Sequence, residues 1–144
     1  MRCRIENIPC VVFYRTYKSD KLFETLCRKV NNYSMKVNKK QVGRFFEVKR
    51  LAMAGVSKDP NKFGNRIFND LQKNGYTILP VNPKYESIDG VLCYKNVSDL
   101  PDDVENLLIM TPKQATDTTL REAISKGIKN IWVQQHSETE TTIK

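Results

Sequence analysis

Leu51-Ala52-Met53-Ala54-Gly55-Val56-Ser57-Lys58-Asp59-Pro60-Asn61-Lys62-Phe63-Gly64 is the stretch that decides the fold of this chain. Leu51 to Val56 is a short, nearly continuous apolar run, the pattern of a central parallel strand covered on both faces. A polar loop follows, and Gly64 to Asn74 then places Ile67, Phe68 and Leu71 on one helical stripe before Gly75 stops the helix. Tyr76-Thr77-Ile78-Leu79-Pro80-Val81 reads as a second strand, closed by Asn82-Pro83.

The alternation continues downstream. After the turn-like Ser87-Ile88-Asp89-Gly90, Val91 to Tyr94 reads as a short edge strand or an extended segment. Ser98-Asp99-Leu100-Pro101 reads as the opening of a helical turn, with Asp102 and Asp103 near its positive end. Asn106 to Met110 is the next buried strand, and Thr111-Pro112 ends it. Ala115 to Lys126 carries Leu120, Ala123 and Ile124 on one face before Gly127, and Ile128 to Val133 is a last strand. Upstream, Val42, Phe45 and Phe46 recur at helical spacing after Asn38, a candidate cap. This order predicts an α/β fold, a Rossmann-like doubly wound parallel sheet in three α/β/α layers with right-handed crossovers.

At 144 residues the chain has room for one domain and an appendage. Residues 1–34 show no sustained period and are expected to be a poorly ordered N-terminal extension, with the domain proper at 35–144. Net charge is +8, half of it from the seven Lys/Arg and three Asp/Glu of residues 1–34. A basic balance favours an anionic partner. No basic run interleaved with aromatics argues for nucleic acid, so a phosphorylated small molecule is the expected ligand. Four cysteines without a CxxC pair, and His136 as the single histidine, make too poor a ligand set for zinc, so no metal is expected. Cysteine usage fits a reducing, cytoplasmic setting. Val11-Val12-Phe13-Tyr14, the longest apolar run near the N-terminus, is far below the ~20 residues of a membrane span, so no membrane association is expected.

In a doubly wound sheet, ligands bind beyond the C-terminal ends of the strands. The loop Gly55 to Gly64 is therefore the first candidate site. Gly55 permits a tight turn, Gly64 permits close approach to the backbone, and amides at the helix start favour an anion. Ser57 offers a hydroxyl, and Lys58 and Lys62 offer charge. The two glycines are nine positions apart, so the loop is not the GxGxxG fingerprint of a dinucleotide site. Such a site also places an acid after the second strand, where this chain has Asn82-Pro83-Lys84. A cation there suits a ribose phosphate, as in coenzyme A or a phosphorylated nicotinamide cofactor.

Leu51 to Gly64, Leu79 to Lys84, Ile109-Met110-Thr111-Pro112 and Ile131-Trp132-Val133-Gln134-Gln135 together resemble the small CoA-binding domain proteins of bacteria and archaea. That family is similar to the CoA-binding domain of the succinyl-CoA synthetase alpha chain. The resemblance covers about residues 37–143 and implies coenzyme A as the ligand. It implies that Gly55, Val56, Ser57, Lys58, Lys62, Phe63 and Gly64 surround the pyrophosphate. Asn82, Pro83 and Lys84 would lie beside the adenosine with its ribose phosphate, and Thr111 and Pro112 would border the adenine or the pantetheine arm.

The chain departs from the family in two ways. His136-Ser137-Glu138-Thr139 stands where a glycine is usual, and His136 is expected to be an incidental surface residue. The family usually begins near Met35, here the expected initiator, and continues past Lys144 with another helix and strand, so the domain is expected to be truncated at its C-terminus. No paired carboxylates, Cys–His pair or GxSxG elbow marks a catalytic centre. The chain is read as a non-catalytic CoA or acyl-CoA binding module, its protein partner unknown. The alternatives are an NADP-binding oxidoreductase or redox sensor, or a CoA-binding subunit of an acyl-CoA synthetase.

Overall fold

The computed structural model describes residues 11–14, 39–134, 137 and 139. Its main sheet is parallel and has five strands: β1 (Val11–Tyr14), β2 (Arg50–Ala54), β3 (Thr77–Val81), β6 (Asn106–Ile109) and β7 (Asn130–Gln134). They lie side by side in the order β1-β7-β6-β2-β3. Among the described residues three helices, α1 (Lys39–Glu47), α2 (Phe63–Lys73) and α3 (Lys113–Lys126), flank the sheet. A small antiparallel hairpin, β4 (Ser87–Ile88) and β5 (Val91–Leu92), lies between β3 and β6 in sequence.

The predicted α/β/α layering follows from the period of two along each strand. Leu51, Met53, Leu108 and Trp132 face one side, where they pack with Phe45 and Phe46 of α1 and Ile67, Phe68 and Leu71 of α2. Ala52, Ala54, Leu107, Ile109, Ile131 and Val133 face the other, against Leu120 and Ala123 of α3. Phe45 and Phe46 lie 5.7 and 5.5 Å from the Trp132 ring, tilted or edge-on as aromatic quadrupoles favour.

Three details differ from the sequence reading. Ile124, expected on the buried face of α3, is exposed, and Thr116 takes that place: the buried stripe runs Thr116, Leu120, Ala123. The helical turn expected at Ser98 is a single 3₁₀ turn, Val97–Asp99, ended by Leu100 in extended backbone. Asp102 and Asp103 therefore do not face a helix N-terminus; they pair with Lys126 (2.8 Å) and Arg50. Val11–Tyr14, inside the segment set apart as an extension, forms the outer strand β1, in register with Ile131–Gln134 of β7. Asn38 and Met35, like the rest of residues 1–34, lie outside the described residues.

The last carbonyls of a helix have no partner within it. In α1, Asn106 Nδ2 donates to Phe45 O (2.6 Å) and the Tyr76 hydroxyl donates to Phe46 O (2.8 Å). Asn106 is fully buried at the head of β6, and its Oδ1 accepts from Asn130 Nδ2 of β7 (2.8 Å). One side chain thus joins α1 to two strands. Asn106→Leu strands the Phe45 carbonyl without a donor and is expected to cost about 1–3 kcal/mol, measured by urea unfolding, against about 1 kcal/mol for Tyr76→Phe.

Candidate functional site

The chain leaves β2, passes through α2 to its neighbour β3, and then crosses to β6 on the other side of β2. The order reverses at β2, so a crevice opens beyond its C-terminal end. Gly55 sits at that point with φ +88, a left-handed conformation that favours glycine. Its N–H donates to Val81 O of β3 (3.1 Å), and the N–H of Met110, just past β6, donates to Ala54 O (2.9 Å). A Cβ on Gly55 would stand 2.6 Å from the Met110 carbonyl.

The loop after Gly55 is shaped by its own polar groups. Asp59 N–H donates to Ser57 Oγ (3.1 Å), and Asn61 N–H donates to Asp59 Oδ1 (2.9 Å). Ser57 accepts through oxygen, so its hydroxyl hydrogen can still be donated to a ligand. α2 then begins without a side-chain cap, since Lys62 at the N-cap carries no acceptor. Gly64 has an ordinary backbone, and a Cβ there would stand 3.0 Å from Gly55 O, so helix and loop already touch.

The crevice is a cleft of about 1050 Å³. Gly55, Ser57, Lys62, Phe63 and Gly64 line one part of it, Asn82, Pro83 and Lys84 another, and Thr111 and Pro112 a third. Three loops far apart in the chain are thus brought to one place. Val56 and Lys58 do not line it: Val56 is fully buried in the core, and the Lys58 ammonium lies 5.3 Å from the centre of the Tyr85 ring. The apolar Val56 follows the strand into the core, and the cation–π contact draws Lys58 onto Tyr85.

Asn82 bridges two of the loops, because its Nδ2 donates to Val56 O (2.9 Å) while its Oδ1 accepts from Lys84 N–H (2.9 Å). Thr111 is held by a hydroxyl contact to Thr116 of α3 (2.9 Å). The sequence reading missed Lys95, Asn96 and Val97, brought to the cleft where Tyr94 bridges Val81, and Lys95 Nζ donates to Tyr85 O (3.2 Å). It also missed Gln114, Thr118 and Glu122 on α3. Their spacing of four after a strand end was a usable signal, a polar stripe facing the ligand end. Glu122 Oε2 accepts from Val97 N–H (3.0 Å) and ties α3 to the 3₁₀ turn.

Cys93 is buried, and burial pushes its thiol up from the ordinary range, outweighing a backbone hydrogen bond with Asn82 and the charges of Lys95 and Lys58. It stays a neutral thiol at physiological pH, unlike an activated nucleophile. Among the described residues no group of His, Cys, Asp and Glu is placed to hold a metal ion, and no helix is long and apolar enough to cross a membrane. His136 lies outside the described residues.

The sequence model of a family described as "CoA binding domain" matches residues 49–144, two thirds of the chain. The chain belongs to that CoA-binding family. The alpha subunit of the ADP-forming acetate–CoA ligase II of Pyrococcus furiosus is 36% identical over 88 residues, covering 60% of this chain and 19% of the subunit. An ADP-forming acetate–CoA ligase of Methanocaldococcus jannaschii is 37% identical over 93 residues, covering 60% of this chain and 13% of the ligase. The chain thus spans a fifth or less of the length of these relatives. Two solved structures match it over most of their own length. A conserved hypothetical protein of Pyrococcus furiosus has a TM-score of 0.63 and 38% identity, covering 65% of this chain and 81% of that one. A hypothetical protein of Pyrococcus horikoshii has a TM-score of 0.71 and 28% identity, covering 79% and 81%.

The cleft of this CoA-binding domain fits the ligand class by its own chemistry. It is roomy for a small-molecule site, three lysines border it, and the uncapped start of α2 opens onto it. Gly55→Ala must strain a left-handed backbone and displace the Met110 carbonyl, so it is expected to be grossly destabilised. Gly64→Ala needs a shift of a few tenths of an ångström and is expected to lose only a few degrees of melting temperature. Thermal unfolding of the two variants side by side checks that ranking.

Proposed function

We propose that this chain is a non-catalytic module that holds coenzyme A or an acyl-CoA for sensing or for delivery to a partner. The observation that carries the reading is Lys84. It stands three residues past the end of β3, in the loop where a dinucleotide binder keeps an acid for the ribose hydroxyls, and Asn82 fixes its backbone beside the cleft. In this reading, Gly55, Ser57, Lys62, Phe63 and Gly64 hold the pyrophosphate, and Asn82, Pro83 and Lys84 hold the phosphorylated ribose. Thr111 and Pro112 border the adenine or the pantetheine arm. Val56 and Lys58 act behind the site, shaping the loop. The buried free thiol of Cys93 supports a reducing, cytoplasmic setting.

The similarity to ligase subunits favours a second reading, in which the module is the CoA-binding subunit of an acyl-CoA synthetase whose catalytic groups lie on other chains. Co-purification of such a chain, with ligase activity only in the mixture, would move the assignment there.

Lys84 gives the test. Coenzyme A is expected to bind about one to two decades more tightly than dephospho-CoA, the effect of a charge-assisted contact of about 1.5–3 kcal/mol. Lys84→Glu is expected to abolish that difference. Calorimetry at fixed salt reads both, and equal affinities in the wild type would overturn the ribose-phosphate assignment. We also propose that CoA binding needs only the part of the chain from Met35 onward, although β1 of the sheet lies upstream of it. Every described residue that lines the cleft follows position 54, so a chain starting at Met35 is expected to keep its CoA affinity. Loss of binding by a folded 35–144 chain would move the boundary upstream.

A further inference from the structure

Asn65 is the third residue of α2, and although its side chain is polar it is almost fully buried. Burial of an amide is costly unless its hydrogen bonds are made. Its Nδ2 donates to Ser57 O in the cleft loop (2.8 Å) and to Asp89 Oδ2 (3.3 Å), while its Oδ1 accepts from Asn69 Nδ2 (2.9 Å). Asn69 Nδ2 also reaches Asp89 Oδ2 (3.2 Å). The amide has one stable orientation, because turning it over would aim its oxygen at both a carboxylate and a carbonyl.

Asp89 comes from the turn of the β4–β5 hairpin, where it adopts φ 48 beside Gly90 at φ 80. A left-handed aspartate is uncommon, and here the conformation turns a carboxylate onto α2. We infer that Asp89 and Asn65 are positioning residues that set the peptide planes around Ser57 for ligand binding. In a trans peptide the carbonyl and the following N–H point opposite ways. Asn65 fixes the Ser57 carbonyl and hence the Lys58 N–H, while Asn82 fixes the Val56 carbonyl and hence the Ser57 N–H. The two amides hold consecutive peptides of the loop from two different elements. Asp89 keeps Asn65 in register, so the hairpin acts on the cleft without lining it.

This inference rests on the CoA reading of the cleft, and the experiment separates the two. Asn65 is too buried to replace cleanly, so the test uses Asp89. Asp89→Gly removes the carboxylate and keeps a residue at ease with φ 48, whereas Asp89→Asn keeps both an acceptor and a tolerance for that backbone. Asp89→Gly is expected to shift the Ser57 and Lys58 amide resonances of the ligand-free protein and to weaken CoA binding about tenfold. Its melting temperature is expected to fall by no more than a few degrees, because Asp89 is exposed and water can take up the amide hydrogens it releases. Asp89→Asn is expected to restore both resonances and affinity. Unmoved resonances with wild-type affinity, or a large fall in melting temperature with unchanged affinity of the folded protein, would overturn the inference. If the wild type itself binds no CoA, the proposed function falls, and the amide resonances alone then decide the role of Asp89.

Discussion

A β-carbon on Gly55 would overlap the Met110 carbonyl, and this close passage of β2 past the end of β6 is the constraint on which the ligand end of the molecule depends. Because Gly55 is pinned to β3 through Val81 and its predecessor Ala54 to β6 through Met110, the loop that follows leaves the sheet at the point where strand order reverses. The loop cannot drift toward either neighbour. α2 is then set against a second carbonyl, Gly55 O, by the absence of a side chain at Gly64. Strand spacing, loop exit and helix start form one steric unit, and the cleft is the space left in front of it.

Polar side chains finish what that unit begins. Asn82, Asn65, Thr111 and Glu122 each satisfy a buried or half-buried group on another segment, so the cleft is walled by cross-links between elements. An amide or carboxylate placed this way sets direction as well as distance, which apolar packing does not. The groups around the site are thus held in direction by hydrogen bonds to one another.

Much of this was legible in the sequence because strand ends announce themselves. Ala54-Gly55, Val81-Asn82 and Met110-Thr111 each mark a change from an apolar run to turn-forming residues, and the topology of a doubly wound sheet gathers such points. Lys84 was legible as a departure from a known acid. Asp89 was not, because its contacts are 20 and 24 residues away and its neighbours read only as a turn. Lys95 was hidden because it reaches the cleft through the bridge of Tyr94 to Val81, a pairing that local sequence does not show. Val11 to Tyr14 was visible as an apolar run, but four residues carry too little period to show a strand. Ile124 misled because Ala123 and Ile124 are adjacent on the helix, and hydrophobicity alone does not say which of two neighbours turns inward.

The pairing of β1 with β7 joins residues 11–14 to residues 131–134, across nearly the whole chain. A contact of such sequence separation bears a large closure entropy and returns little until its partner strand exists. β7 in turn rests on β6, and β6 on β2. Docking of β1 therefore depends on strands nearer the centre being in place, and since Gln134 both pairs with Tyr14 and lines the cleft, the costliest closure of the fold ends beside the ligand site.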